Sequence, residues 1–204
     1  MSGHSKEKTF LFVDGTNLYA GQQELFGADK YLDFTLFIKV IEDKLKLAFD
    51  KIYFYASYSP KPQKSTPKIK KYLKCEQFFY RSVKKTPNVY FFKGYRSKTS
   101  GKEKEVDVKL SVDIVDMAHR NLYQNLFLFS GDADFMHAIK IAENLNKKAH
   151  ILALENRIPV RFSYHFPTYI FVVKSKSRTK KQINISQKVK IINIDEAKIV
   201  SVIK

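Results

Sequence analysis

From the N-terminus onward, short apolar runs rich in aromatic and β-branched residues alternate with longer amphipathic segments. The runs at residues 9–13, 52–56, 89–93, 126–129 and 150–154 predict strands. Residues 35–49 place Leu36, Val40, Ile41 and Leu45 on one helical face, with Asp33 positioned as N-cap. Residues 68–84 form a more basic helical segment after the proline-broken loop SPKPQKSTP. Residues 106–121 carry a stripe of Val106, Leu110, Ile114, Met117 and Ala118, and residues 134–147 one of Ala138, Ile139, Ala142 and Leu145. Such alternation predicts an α/β fold, a parallel sheet covered by helices on both faces. The pattern breaks after residue 154. Pro159 and Pro167 disfavour a long helix there. Residues 168–173 read as one more strand, KSKSRTKK as a basic linker, and residues 183–203 as a hairpin or small β extension. The expected organisation is a main domain over residues 9–155 and a basic, partly β-rich C-terminal extension over 156–204.

Carboxylates stand at the ends of two predicted strands. The run LFLFSGDADF passes through Ser130 and Gly131 to Asp132 and Asp134, where a helix would begin. Near the N-terminus FLFVDGTN ends an apolar strand at Asp14. Doubly wound sheets gather functional groups at the carboxyl ends of their strands. Carboxylates that converge without matching cations either protonate or hold a metal, and Mg2+ or Mn2+ suits carboxylate and water ligands. On a helix starting at Val106, Asp107 and Asp113 border the apolar stripe from opposite sides, while Asp116 points outward beside Lys109 and Arg120. Plainer explanations also exist. Asp107 lies where a helix dipole favours an acid, and Asp132 or Asp134 can cap the helix that follows. The five histidines (His4, His119, His137, His150 and His165) have no ligand spacing, and His137 comes nearest to the cleft.

Composition narrows the partners. Hydrophobic residues make up 44% of the 204, enough for one sizeable folded core. The formal charge of +17 makes nucleic acid the first polyanion to consider and an anionic membrane surface the second. Cys75 is the single cysteine, so no internal disulfide or cysteine-based zinc cage forms, and a reducing, cytoplasmic setting is expected. No apolar run approaches a membrane span, and no signal-peptide core follows Met1. Residues 59–104 hold fourteen Lys or Arg against two Glu, interleaved with aromatics. Within the loop GYRSKTSGKEKE, Tyr95, Arg96, Lys98, Lys102 and Lys104 are candidate contacts to a nucleic-acid backbone. A solvated lysine-rich loop explains them equally well. Residues 174–204 add nine basic residues against two acids, a candidate second contact surface and a candidate homodimer surface.

Three blocks, FVDGTNLY at 12–19, KEVDVKLSVD at 104–113 and SGDADF at 130–135, resemble the signature blocks of NYN domains. That family belongs to the PIN-like nuclease superfamily, and the likeness is greatest to its bacterial and archaeal branch. Order and spacing agree over roughly residues 9–155. The resemblance implies a three-layer α/β/α PIN-like fold, a mostly parallel central sheet framing an acidic pocket, and metal-dependent cleavage of RNA. By the same resemblance Asp14, Asp107, Asp132 and Asp134 hold Mg2+ or Mn2+, Asn17 braces Asp14, and Ser130 hydrogen-bonds within the pocket. Asp113 matches a recurrent acidic position and takes a supporting role. Two departures stand out. The family often has glycine before the Val-Asp pair where this chain has Glu105, which changes a loop more than a ligand. The proline-containing NRIPVRFSYHFP replaces the helix that usually follows the last core strand.

The reading that follows is a metal-dependent ribonuclease. Its alternatives are an RNA-binding module with a catalytically silent pocket and a small-molecule phosphohydrolase. Nucleotide binding of the glycine-loop kind is disfavoured, because neither GxGxxG nor a Walker-type loop occurs.

Overall fold

The computed structural model describes residues 7–60, 66–96, 103–158, 169–175 and 189–203. In chain order its elements are β1 (Thr9–Asp14), α1 (Gly15–Phe26), β2 (Lys30–Leu32), α2 (Phe34–Leu45), β3 (Lys51–Ala56), α3 (Pro67–Lys85) and β4 (Val89–Lys93). There follow β5 (Tyr95–Arg96), β6 (Glu103–Lys104), α4 (Val106–His119), β7 (Asn125–Phe129), a 3-10 turn (Ala133–Phe135) and α5 (Met136–Asn144). The chain ends with β8 (Lys148–Leu154), β9 (Ile170–Ser175), β10 (Val189–Ile194), α6 (Glu196–Ile199) and β11 (Val200–Val202).

Seven strands form one sheet in the order β10-β9-β8-β7-β1-β3-β4, and every neighbouring pair in it is parallel. Burial on both faces explains why the runs of the inner strands β1, β7 and β8 are largely apolar rather than alternating, whereas β4 at the edge is only partly covered. Alternate side chains of β1 serve two cores. Leu11 and Val13 join α1, α2 and α3 residues such as Leu18, Phe37 and Phe79. Phe10 and Phe12 join Val106, Leu110 and Ile114 of α4 and Ala138 and Ile139 of α5. The result is the expected three-layer α/β/α arrangement. Burying each such ring contributes about 1.5–3 kcal/mol relative to leaving it in water.

The chain moves from β1 outward to β3 and β4, then crosses back through α4 to β7 and continues the other way. The strand order therefore reverses between β1 and β7, where open α/β sheets leave a crevice at their carboxyl ends. Close approaches shape that end of the sheet. A Cβ on Gly15 would overlap the Phe54 ring, and one on Gly131 would overlap the Arg157 carbonyl oxygen. The loop after β8 is in turn held to α1, where Asn156 Nδ2 donates to the Gly21 carbonyl at 3.0 Å and Arg157 pairs with Glu24.

Several elements differ from the sequence pattern. In α2 the buried face is Phe34, Phe37, Ile38 and Ile41, and Leu36 is exposed, so the stripe is rotated from the one anticipated. Helix α1 buries Gly15, Leu18, Tyr19, Gly21, Gln22, Leu25 and Phe26 along one face, and the two glycines and the glutamine in that stripe blur its apolar period. The loop holding Tyr95 is closed by a two-residue antiparallel ladder, Tyr95 against Lys104 and Arg96 against Glu103. The C-terminal strands do not pair as a hairpin. β9 and β10 extend the main sheet in parallel, while β11 pairs antiparallel with β2. Ile192, Ile194 and Ile199 reach the same core as α2 and α3. The linker KSKSRTKK (from its third residue, Lys176), Pro159 and Pro167 lie outside the described residues. Among the described residues no helix is long and apolar enough to cross a membrane.

His150 on β8 stacks on Phe127 with ring centroids 4.6 Å apart, and its buried Nδ1 has no hydrogen-bond partner among the described residues. Burial, with Lys148 and Lys190 nearby, pushes its imidazole from the ordinary 6.5 down to about 4. The unfolded chain therefore binds the extra proton first, and stability present above pH 6.5 is lost as pH falls toward about 4. Denaturant midpoints measured across that window should decline for the native protein and decline less for His150→Phe. Equal slopes in the two proteins would show that His150 is not the titrating group.

Candidate functional site

The crevice between β1 and β7 is lined from three directions. β1 ends at Asp14, which the two-residue period of the strand places on the same face as Phe10 and Phe12, toward α4 and α5. The Asp14 side chain is 5% exposed. Its Oδ1 accepts the Asn17 backbone N–H at 3.0 Å, capping α1, and its Oδ2 accepts from Ser130 Oγ at 2.9 Å. Capping and crevice placement are thus one arrangement. Hydrogen bonds to a charged group of this kind contribute about 1.5–3 kcal/mol each.

Ser130 is fully buried at the end of β7, and its hydroxyl oxygen also accepts the Asp132 backbone N–H at 3.0 Å. Asn17 Oδ1 accepts the Gly131 N–H at 3.3 Å, a second tie between the ends of β1 and β7. Asp132 caps the turn before α5 by accepting the Asp134 N–H at 3.0 Å. The carboxylates of Asp132 and Asp134 are exposed. A continuous chain of contacts therefore joins Asn17, Asp14, Ser130, Asp132 and Asp134.

Asp107 enters from α4. That helix ends where β7 begins its approach, so its N-terminus lies at the carboxyl end of the sheet, and Asp107 sits exposed in the first turn. The residue before Val106, Glu105, has φ 70° and no side-chain capping bond. Left-handed backbone costs an L-residue about 1–2 kcal/mol and glycine almost nothing. This gives a physical reason for glycine at that place.

Asp113 goes elsewhere. Tyr55 Oη donates to its Oδ2 at 2.7 Å, and Lys109 Nζ pairs with its Oδ1. Tyr55 is the register partner of Asp14 on the neighbouring strand, so Asp113 sits one strand away from the crevice, facing β3. Burial and the bond to Asp113 both raise the Tyr55 phenol above its ordinary value, which keeps it a donor. Tyr55 carries no local sequence signal for this role, since only the packing of α4 on β3 brings it beside Asp113, whereas Lys109 is the i,i+4 neighbour of Asp113 on α4. Asp116 pairs with Arg120 at 3.3 Å on the surface rather than with Lys109, a contact of small energetic weight. His137 lies with Asp134 in a groove of about 520 Å³ between α4 and α5, beside Val112, Val115 and Ile141. Of the basic-loop candidates, Tyr95 is exposed, Arg96 and Lys104 are placed in the short ladder, and Lys98 and Lys102 lie outside the described residues.

The oxygen donors at the crevice match a hard divalent cation and not a zinc-type nitrogen and sulfur set. Among the described residues no group of three or more His, Cys, Asp or Glu side chains is placed to hold an ion unaided. Magnesium fits such a site, because it binds through one or two carboxylates and completes its shell with water and substrate phosphate.

Relieving the backbone at Glu105 should show in stability. Glu105→Gly is expected to raise the unfolding free energy by about 0.5–1 kcal/mol, the left-handed strain removed less the entropy that glycine adds to the unfolded chain. A decrease on chemical denaturation would contradict the strained geometry.

A crystal structure of a protein of unknown function from Vibrio parahaemolyticus is similar to this fold with a TM-score of 0.54. It is 21% identical, and the match covers 78% of this chain and 88% of that one. No curated protein matches the sequence. The model of the NYN domain matches residues 8–173, from just before β1 into β9, and takes in all three aspartate blocks. With most of its length so matched, the chain belongs to the NYN domain family.

Proposed function

We propose that this NYN domain is a metal-dependent ribonuclease that hydrolyses phosphodiester bonds at the crevice between β1 and β7. The observation that carries the reading is the hydrogen-bonded run from buried Asp14 through Ser130 to Asp132, placed at the switch point of the sheet. In this reading Asp14, Asp107, Asp132 and Asp134 hold Mg2+ or Mn2+. A bound divalent ion supplies Lewis-acid polarisation of the phosphodiester and a more acidic water. The protein supplies the rest. Asn17 and Ser130 fix the orientation of Asp14, so the buried carboxylate needs no reorganisation when substrate arrives. Asp113 acts as a positioning residue that holds Tyr55 and Lys109 beside the crevice. Tyr95, Arg96, Lys98, Lys102 and Lys104 contact the RNA backbone, consistent with a net charge of +17.

One observation favours a second reading, an RNA-binding module whose pocket does not turn over: no three potential ligands cluster among the described residues. A single assay separates the two. End-labelled single-stranded RNA is incubated with the protein in Mg2+, Mn2+ or chelator, alongside Asp132→Asn. Asparagine caps as well as aspartate, so the variant removes charge while keeping the turn. The nuclease reading predicts metal-dependent cleavage that falls about a hundredfold in the variant. Salt-sensitive RNA binding without cleavage in either protein would favour the binding module.

A further inference from the structure

Beside the crevice, no helix among the described residues packs over the β4 edge on the α4 face of the sheet. Helix α4 packs over β1 and β3, and β4 is the outermost strand. Three rings run outward across this face. Phe12 stacks on Tyr53 at 5.3 Å and 19°, and Tyr53 stacks on its register partner Tyr90 at 5.2 Å and 21°. The first ring is core and the last is 51% exposed. A cavity of about 290 Å³ opens over these rings, walled by Tyr53, Tyr55, Tyr90 and Phe92 and closed at a polar end by Lys109 and Asp113. Lys51 lies outside the cavity lining, with its Nζ 5.3 Å from the Tyr90 centroid, so a second cation stands beside the exposed ring.

Isolated surface tyrosines need no explanation. A stacked series that ends in a half-exposed ring, with one lysine in the cavity wall and another beside that ring, offers a flat π-face with positive charge near it. We propose that this cavity is a subsite for an unpaired nucleobase of a single-stranded RNA, stacked against the half-exposed Tyr90 ring. Lys51 and Lys109 neutralise the adjoining phosphates, and the Lys109–Asp113 pair presents both a donor and an acceptor to the base edge. The proposal extends the ribonuclease reading by naming how substrate is held. Asp14 pairs in register with Tyr55, and Tyr55 with Phe92. At about 4.8 Å per strand, the cavity lies roughly 10 Å from Asp14, within reach of the same RNA strand. The charge of the chain favours this occupant over a peptide that would add to the β4 edge through backbone bonds alone.

The test measures binding without cleavage. Fluorescence anisotropy with a labelled single-stranded RNA in chelator compares the native protein, Tyr90→Ala and Tyr90→Phe, with thermal melts confirming that each is folded. Loss of one base stack should weaken binding about 5- to 150-fold in Tyr90→Ala, while Tyr90→Phe stays within about twofold. An RNA carrying one abasic residue at the stacked position should lose affinity for the native protein and lose nothing further for Tyr90→Ala. Unchanged affinity in Tyr90→Ala overturns the subsite, as does an equal loss in Tyr90→Phe, which would mean the hydroxyl and not the ring is recognised. Capture of an extended peptide with RNA binding intact in Tyr90→Ala also overturns it. The two readings fail separately. Cleavage with unchanged Tyr90→Ala binding removes the subsite alone, whereas weakened binding without any cleavage removes the nuclease alone.

Discussion

One hydrogen bond ties the site to the fold: Ser130 Oγ donates to Asp14 Oδ2 across the ends of β1 and β7. Strand order reverses between these two strands, so neither is followed by a helix that would fill the gap above them. A buried carboxylate placed there needs partners, because an unpaired charge out of water costs several kcal/mol. Asn17 and Ser130 provide them, and the same serine oxygen then orders the turn that presents Asp132 and Asp134. The Ser130 hydroxyl thus bonds Asp14 and Asp132 directly, and Asn17 and Asp134 join the same network through those two carboxylates.

The sequence showed much of this because its main signals are local. A strand that ends in aspartate and a turn that opens with Ser-Gly-Asp read the same way in the chain as in the structure. The strands of the central sheet from β1 to β8 follow from short apolar, aromatic-rich runs, and the stripes of α4 and α5 from hydrophobic period. Helix α1 does not, since the face it buries includes Gly15, Gly21 and Gln22, which carry no apolar signal. The rotated face of α2 has another cause, with Phe34, Phe37 and Ile41 drawn inward by the aromatic core while Leu36 is left outside.

Non-local pairing accounts for the other differences. Nothing in the sequence near Asp113 indicates that Tyr55, fifty-eight residues away, will bond to it. The placement of β10 in the main sheet and β11 against β2 also depends on contacts distant in sequence. Glu105 is the reverse case: its departure from the usual glycine was visible in the chain, and its left-handed backbone explains why that place favours glycine.

The central claim is that Asp14, held by Ser130, forms part of a divalent-cation site. Titration of Mn2+ followed by electron paramagnetic resonance tests it without any need for turnover. The native protein is expected to immobilise the ion, Ser130→Ala to bind it about 10- to 100-fold more weakly, as loss of a ligand's supporting bond does, and Asp14→Asn to weaken it at least as much. Equal Mn2+ affinity in all three proteins would contradict the claim.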